Sequence, residues 1–78
     1  MSTDISPQAE RHWETLVRAD LRLAPYTELA RVTCTLRDGV LTLNGCVSSY
    51  YLKQIAQRIV LDRLERRATV VNELEVES

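Results

Sequence analysis

Two cysteines, Cys34 and Cys46, and one histidine, His12, are the residues of this chain best suited to chemistry. A thiolate and an imidazole can serve as nucleophile and general base, and both side chains also bind metal ions. The spacing supports neither use, because the cysteines form no CxxC pair and one distant histidine cannot complete a metal site. We therefore expect no metal ion and no cofactor, and we place His12 on the surface.

Charged residues inside predicted helices are the second arrangement that could do chemistry. Asp20 falls among the apolar positions of a first helix, and Arg63 and Arg66 fall near the apolar line of a second. We predict an ion pair between the helices, from Asp20 to either arginine. One carboxylate without a second acid or base, or a nucleophile, provides no catalytic mechanism. The sequence therefore predicts a protein that binds and is not an enzyme.

The charge balance and the N-terminal residues restrict the partners and the compartment. Ten Lys and Arg against eleven Asp and Glu give a net charge of −1. Nucleic-acid binding needs surplus positive charge that releases counterions from phosphate, so we expect no nucleic-acid partner. The sequence shows no signal peptide and no membrane-spanning stretch. It thus predicts a cytoplasmic domain with reduced thiols.

The first helix is marked by its ends and by its apolar spacing. Ser6 and Pro7 suit the N-cap and first helical position, and Pro25 ends the helix at or before residue 24. Apolar residues recur at three- and four-residue intervals, namely at Ala9, Trp13, Leu16, Val17, Leu21 and Ala24. Trp13 is central in this stripe and is predicted to be core. We assign residues 1–8 to a polar tail, residues 9–78 to one domain and residues 26–30 to a connection.

A β-hairpin follows. Asp38 and Gly39 suit a type I′ turn, in which both central residues need positive φ. This turn pairs Leu36 with Leu41 and Cys34 with Leu43. Alternation along the strands predicts an apolar face made of Val32, Cys34, Leu36, Leu41, Leu43 and Val47. The other face collects Thr33, Thr35, Arg37, Val40, Thr42 and Asn44. Cys46 falls on that second face, away from Cys34, so we expect no disulfide.

A second helix and a closing strand complete the predicted fold. The helix runs from an N-cap at Ser48 or Ser49 to Glu65 or Arg66, with a buried stripe of Leu52, Ile55, Ala56 and Ile59. The strand, residues 70–77, places on its apolar side Val70, Asn72, Leu74 and Val76. The amide of Asn72 would need hydrogen-bonding partners there. The order αββαβ predicts an α+β fold, a three-stranded mixed sheet with two helices packed on one face.

Three segments in this order resemble the BON domain, a bacterial osmotic-stress and nodulation module: Arg37–Val47, Ser49–Gln57 and Val70–Val76. The first carries Asp-Gly, an apolar-Thr-Leu run, Gly and Val, and the third reads Val-x-Asn-x-apolar-x-Val. The resemblance implies the same αββαβ fold, no catalysis, and attachment to phospholipid membranes or partner proteins. The family usually has Gly-Val before the last strand. This chain has Arg66–Arg67 there, so the second helix lacks its easiest left-handed cap.

The far side of the second helix is the candidate interaction surface. Apolar and basic residues fall together on it, namely Tyr50, Lys53, Gln57, Val60, Leu61, Leu64 and Arg67. Such a mixture suits docking onto an anionic lipid surface. It also suits contact with a protein. The alternative is that Val60 and Leu64 pack in the core, with Tyr50 at the rim.

The open sheet face and the sheet edges are the remaining candidate surface. Free edges of a small sheet invite strand addition by a partner or a second copy, and Glu73, Glu75 and Glu77 would discourage it. Taken together, the sequence predicts a binding module for protein association or self-association. Peripheral binding to anionic phospholipid through the second helix is the alternative. No small-molecule substrate is indicated.

Overall fold

The computed structural model describes residues 7–77 and has two helices on one face of a small β-sheet. In chain order the elements are α1 Pro7–Leu23, a 3-10 helix Thr27–Arg31, β1 Thr33–Arg37, β2 Val40–Asn44, β3 Cys46–Val47, α2 Tyr50–Leu64, β4 Thr69–Asn72 and β5 Glu75–Val76. The predicted α+β fold with a three-stranded mixed sheet is confirmed. The connection predicted over residues 26–30 is largely the 3-10 helix. Ser6, the predicted N-cap of α1, lies outside the described residues.

The hairpin forms in the predicted register. Asp38 and Gly39 have φ values of 51° and 78°, as a type I′ turn requires. Leu36 lies opposite Leu41, and Cys34 lies opposite Leu43. Burial alternates along β1 and β2, so one face is apolar and covered while the other is open. The strand order is β1-β2-β4, with β1 antiparallel and β4 parallel to β2.

The closing strand was predicted as one element, whereas the structure divides it into β4, paired with β2, and β5, paired with β3. The backbone hydrogen bonds nevertheless continue through the break, because Glu73 and Glu75 donate to the carbonyls of Leu43 and Gly45, at 3.0 and 2.9 Å. The interruption lies beside Gly45, whose φ of 136° favours glycine. Val76, predicted to face the core, is 42% exposed. That prediction is wrong, because β5 is a two-residue strand at the sheet edge.

The core lies between the sheet and the two helices. From α1 it includes Val17 and Leu21, as predicted, with Trp13 half-buried against it. The buried stripe of α2 consists of Leu52, Ala56, Val60 and Leu64. The stripe predicted through Ile55 and Ile59 is therefore corrected, since both are only partly buried. The helix is rotated because it packs against the sheet and α1 together.

Two serines fix the start of α2. Ser49 is the N-cap, its hydroxyl oxygen accepting from the amide of Leu52 at 3.2 Å. Ser48 instead donates its amide and its hydroxyl to the carboxylate of Glu28, at 2.7 and 2.6 Å. This carboxylate ties the 3-10 helix to the start of α2, and the two bonds hold the pKa of Glu28 below its ordinary value.

No helix in residues 7–77 is long and apolar enough to cross a membrane.

Candidate functional site

The residues of the interaction surface predicted on α2 do not form one exposed surface in the structure. Val60 and Leu64 are buried, with 0% and 1% of their surface exposed. Both face the core, because the buried side of α2 follows the four-residue spacing from Leu52. Their inclusion in an exposed surface is therefore wrong, and the alternative that they pack in the core is confirmed.

Lys53 and Gln57 flank the side chain of Asn72. The Asn72 amide nitrogen donates to the Lys53 carbonyl at 2.9 Å and to the Gln57 side-chain oxygen at 3.2 Å. Its amide oxygen accepts from the backbone N–H of Leu74 at 3.1 Å. Asn72 thus finds the partners that its position on the apolar side required. These bonds hold β4 against α2, which is a structural role.

Arg67 covers the ring of Trp13. Its guanidinium carbon lies 4.8 Å from the ring centroid, a cation–π geometry. The same guanidinium donates to the Leu64 carbonyl and the Glu65 carboxylate, each at 3.3 Å. Arg67 therefore joins the loop after α2 to α1. Trp13, predicted as core, lies half-buried beneath it, and His12 is exposed, as predicted.

Two apolar side chains of the predicted surface stay exposed. Tyr50 is 64% exposed and Leu61 is 42% exposed, one near each end of α2. Leu61 borders a hollow of about 220 Å³, which is also lined by Gln54, Gln57 and Arg58. Within residues 7–77 this is what remains of the predicted surface.

A larger groove lies between the C-terminal half of α1 and that of α2. We call it the helix-pair groove; it measures about 510 Å³ and is lined by Asp20, Leu23, Ala24, Pro25, Ile59, Asp62, Arg63 and Glu65. Leu23 is 82% exposed at its edge, and Ile59 forms part of its floor. This site was not predicted from the sequence. Its signal was Leu23 itself, an apolar residue off the buried stripe of α1.

The helices run antiparallel, as their contacts show. Contacts move back along α2 as they advance along α1: Trp13 meets Arg67 after the end of α2, and Asp20 binds Arg63 in its last turn. Tyr26, after the end of α1, meets Tyr51 at the start of α2, with the two hydroxyl oxygens 3.3 Å apart. The Arg63 guanidinium donates twice to the Asp20 carboxylate, at 2.7 and 2.9 Å. Of the two arginines proposed for Asp20, Arg63 is thus the partner. Its hydrogen bond and charge hold the pKa of the Asp20 carboxyl below its ordinary value.

The helix-pair groove carries a negative rim. Asp20 and Arg63 neutralise each other, which leaves the carboxylates of Asp62 and Glu65 along its length. Glu65 also forms an ion pair with Arg67, but both side chains are well exposed, so water screens their attraction. An apolar floor with acidic residues beside it fits a partner that offers an apolar side chain and positive charge.

The thiols are poorly suited to nucleophilic chemistry. Cys34 is buried and Cys46 is exposed, on opposite faces as predicted, and both are free. Desolvation raises the pKa of Cys34. The pKa of Cys46 is raised too, by desolvation and by the negative charges of Glu77 and Glu75. A raised pKa lowers the fraction of reactive thiolate at neutral pH.

Comparison with known proteins identifies a family that matches almost the whole chain. A family model described as BON domain matches residues 10–78. A search of the curated proteins returns no match. The matched span takes in nearly all of α1 and every element after it, including both sides of the helix-pair groove.

Proposed function

Because the chain belongs to the BON domain family, whose members are non-catalytic binding modules, we propose that it functions by protein association at the helix-pair groove. The observation that carries this proposal is the exposure of Leu23, 82% of whose surface is in contact with solvent beside the groove. Covering one leucine side chain stabilises a complex by about 2 kcal/mol. An exposed leucine next to a concave, partly apolar floor is a typical anchor for a protein interface.

A second copy of the chain is the partner that the groove fits best. The groove contains both a projecting side chain, Leu23, and a floor at Ile59 that could receive it. In a two-fold dimer each copy offers both halves of this contact. Exposed Arg22 lies next to Leu23 in sequence, and it supplies positive charge for the carboxylates of Asp62 and Glu65 of the other copy.

Amide NMR spectra at increasing protein concentration test where the association occurs. We expect shifts to concentrate at Leu23, Ala24, Ile59 and Asp62, with the open sheet face unchanged. Shifts confined to Tyr50 and Leu61 would move the contact to the other side of α2. A spectrum that does not depend on concentration would contradict self-association.

Peripheral phospholipid binding through the exposed side of α2 is the second candidate. It is supported by the exposed Tyr50 and Leu61, and by exposed Arg58, which lines the same hollow as Leu61. Apolar residues beside a basic residue suit an anionic lipid surface. The burial of Val60 and Leu64 and the acidic Asp62 next to Leu61 weaken this candidate.

Co-sedimentation with anionic vesicles at low salt tests this second candidate. If it holds, Leu61→Ser reduces binding and Leu23→Ser does not, whereas neutral vesicles bind neither protein. If the wild-type chain stays in the supernatant with anionic vesicles, phospholipid binding is ruled out for this surface.

A further inference from the structure

Strand β1 forms one edge of the three-stranded sheet. In a hairpin with a two-residue turn, hydrogen-bonded pairs alternate outward from the pair that flanks the turn, here Arg37 and Val40. The amides of Thr33, Thr35 and Arg37 therefore face β2. Those of Cys34 and Leu36 face away from the sheet, where another strand could pair with them.

A side chain of α1 already occupies this edge. The backbone N–H of Leu36 donates to the carboxylate of Glu14 at 2.5 Å. A bond from an amide to a carboxylate is charge-assisted and stronger than a bond between neutral groups. Glu14 therefore takes the position in which the carbonyl of an added strand would accept.

The space beside this bond is large enough for more than one side chain. We call it the α1–β1 groove; it measures about 660 Å³ and is lined by Glu10, Arg11, Glu14, Arg18, Cys34, Thr35, Leu36, Arg37 and Asp38. At the opposite edge, Asn72 likewise accepts from the N–H of Leu74, and it is itself bonded to α2. The β1 edge and the β4 edge thus each have an outward amide bonded to a side chain, and β1 in addition borders the α1–β1 groove.

We propose that the β1 edge is a second association surface, which pairs antiparallel with β1 of a second copy, and that Glu14 closes it by bonding the N–H of Leu36. When Glu14 leaves, two edges form one continuous sheet across a two-fold axis. Withdrawal of this single carboxylate is the step that opens the edge.

The residues along β1 favour a second copy as the occupant. A two-fold axis at Thr35 places Thr33 opposite Arg37 and Cys34 opposite Leu36 of the other copy. Apolar side chains then meet on the covered face, and no like charges face each other across the strands. On α1, the same antiparallel arrangement brings Glu10 of one copy towards Arg18 of the other.

This surface is separate from the helix-pair groove, so the inference does not rest on the proposed function. A chain with two different two-fold interfaces assembles beyond a dimer, because each copy has two partners. Glu14 therefore keeps assembly from extending along the sheet edge.

Sedimentation of Glu14→Ala tests the inference in a Leu23→Ser background, in which the helix-pair groove is impaired. We expect the Leu23→Ser chain to be monomeric and the double variant Leu23→Ser/Glu14→Ala to be dimeric. Glu10→Ala in the same background is the matched control, because Glu10 lines the groove without bonding Leu36; it should remain monomeric. A folded Glu14→Ala variant that stays monomeric overturns the inference.

Disulfide cross-linking tests the register. In the proposed dimer Thr35 lies opposite Thr35 of the second copy, in a non-hydrogen-bonded pair. The two Cα atoms are then about 4.5 Å apart, a separation that a disulfide can bridge. With Cys46→Ser removing the exposed native thiol, Thr35→Cys should form a dimer in the Glu14→Ala background, and Thr33→Cys should not. Cross-linking at both positions, or at neither, contradicts the proposed pairing.

Glu14→Asp is the second variant in case Glu14→Ala does not fold. It keeps the charge on α1 but shortens the side chain by one methylene, so that the carboxylate no longer reaches Leu36. We expect Thr35→Cys to cross-link in this variant more than in the chain with Glu14 intact. Equal cross-linking with aspartate and glutamate at this position refutes the role of Glu14.

Discussion

Glu65 and Arg66, the two residues after α2, both have positive φ, 50° and 74°. Left-handed backbone costs a non-glycine residue about 1–2 kcal/mol. The conformation persists because it closes the helix: Glu65 donates its amide to Leu61 and Arg67 donates its amide to Leu64, each at 2.9 Å. The sequence shows that a glycine is missing here. It does not predict that the chain keeps the left-handed turn, or that Arg67 beside this turn packs on Trp13.

Arg66→Gly should therefore stabilise the protein. Glycine adopts positive φ without the clash of a Cβ atom, so we expect the free energy of unfolding to rise by about 1 kcal/mol. Arg58→Gly, inside α2, is the control and should lower it by about 1 kcal/mol. Urea unfolding measures both, and a destabilised Arg66→Gly variant would show that the Arg66 side chain contributes more than its backbone strain costs.

The Asp20–Arg63 pair predicts how stability depends on pH. The pKa of Asp20 is lowered in the folded state by its hydrogen bond to Arg63. The pair therefore stabilises the fold above the ordinary carboxyl range, and this contribution is lost as the pH falls below about 4. We expect Asp20→Asn to be less stable than the wild type at neutral pH and equally stable in strong acid. Urea unfolding at a series of pH values measures this difference in the free energy of unfolding. A difference that does not change with pH would argue against the pair.

At the scale of the elements, the hairpin was predictable and the orientation of α2 was not. Asp38–Gly39 permits one turn geometry, and alternation then fixes which side chains of β1 and β2 are buried. Helix α2 carries apolar residues around most of its circumference, so spacing alone does not select a face. Contact with α1 and the sheet decides it, which buries Val60 and leaves Leu61 exposed.

Adjacent residues of α2 test this orientation. Val60→Ala should lower the free energy of unfolding by about 2 kcal/mol, because it leaves a cavity in the core. Leu61→Ala should change it by less than about 0.5 kcal/mol, as expected for an exposed position. Thermal or urea unfolding compares the two variants. A larger loss at Leu61 than at Val60 would contradict the orientation that α2 has in the structure.

At the scale of the whole molecule, the candidate site is built by two helices that are distant in the sequence. Leu23 and Ile59 line one groove only because α1 and α2 pack antiparallel, joined by the Asp20–Arg63 ion pair. A scan along either helix alone finds apolar residues but no groove. The family could be inferred from local motifs, whereas the groove and the Glu14 bond to β1 depend on tertiary packing.

Sedimentation equilibrium over a wide range of protein concentration tests the central claim, association at the helix-pair groove, most directly. We expect the wild-type chain to form a dimer reversibly, Leu23→Ser to raise the dissociation constant at least about tenfold, and Leu61→Ser to leave it unchanged. Both variants replace an exposed leucine by serine, so the comparison isolates position from chemistry. A wild-type chain that stays monomeric at every concentration, or a dimer that Leu61→Ser weakens and Leu23→Ser does not, would contradict the account.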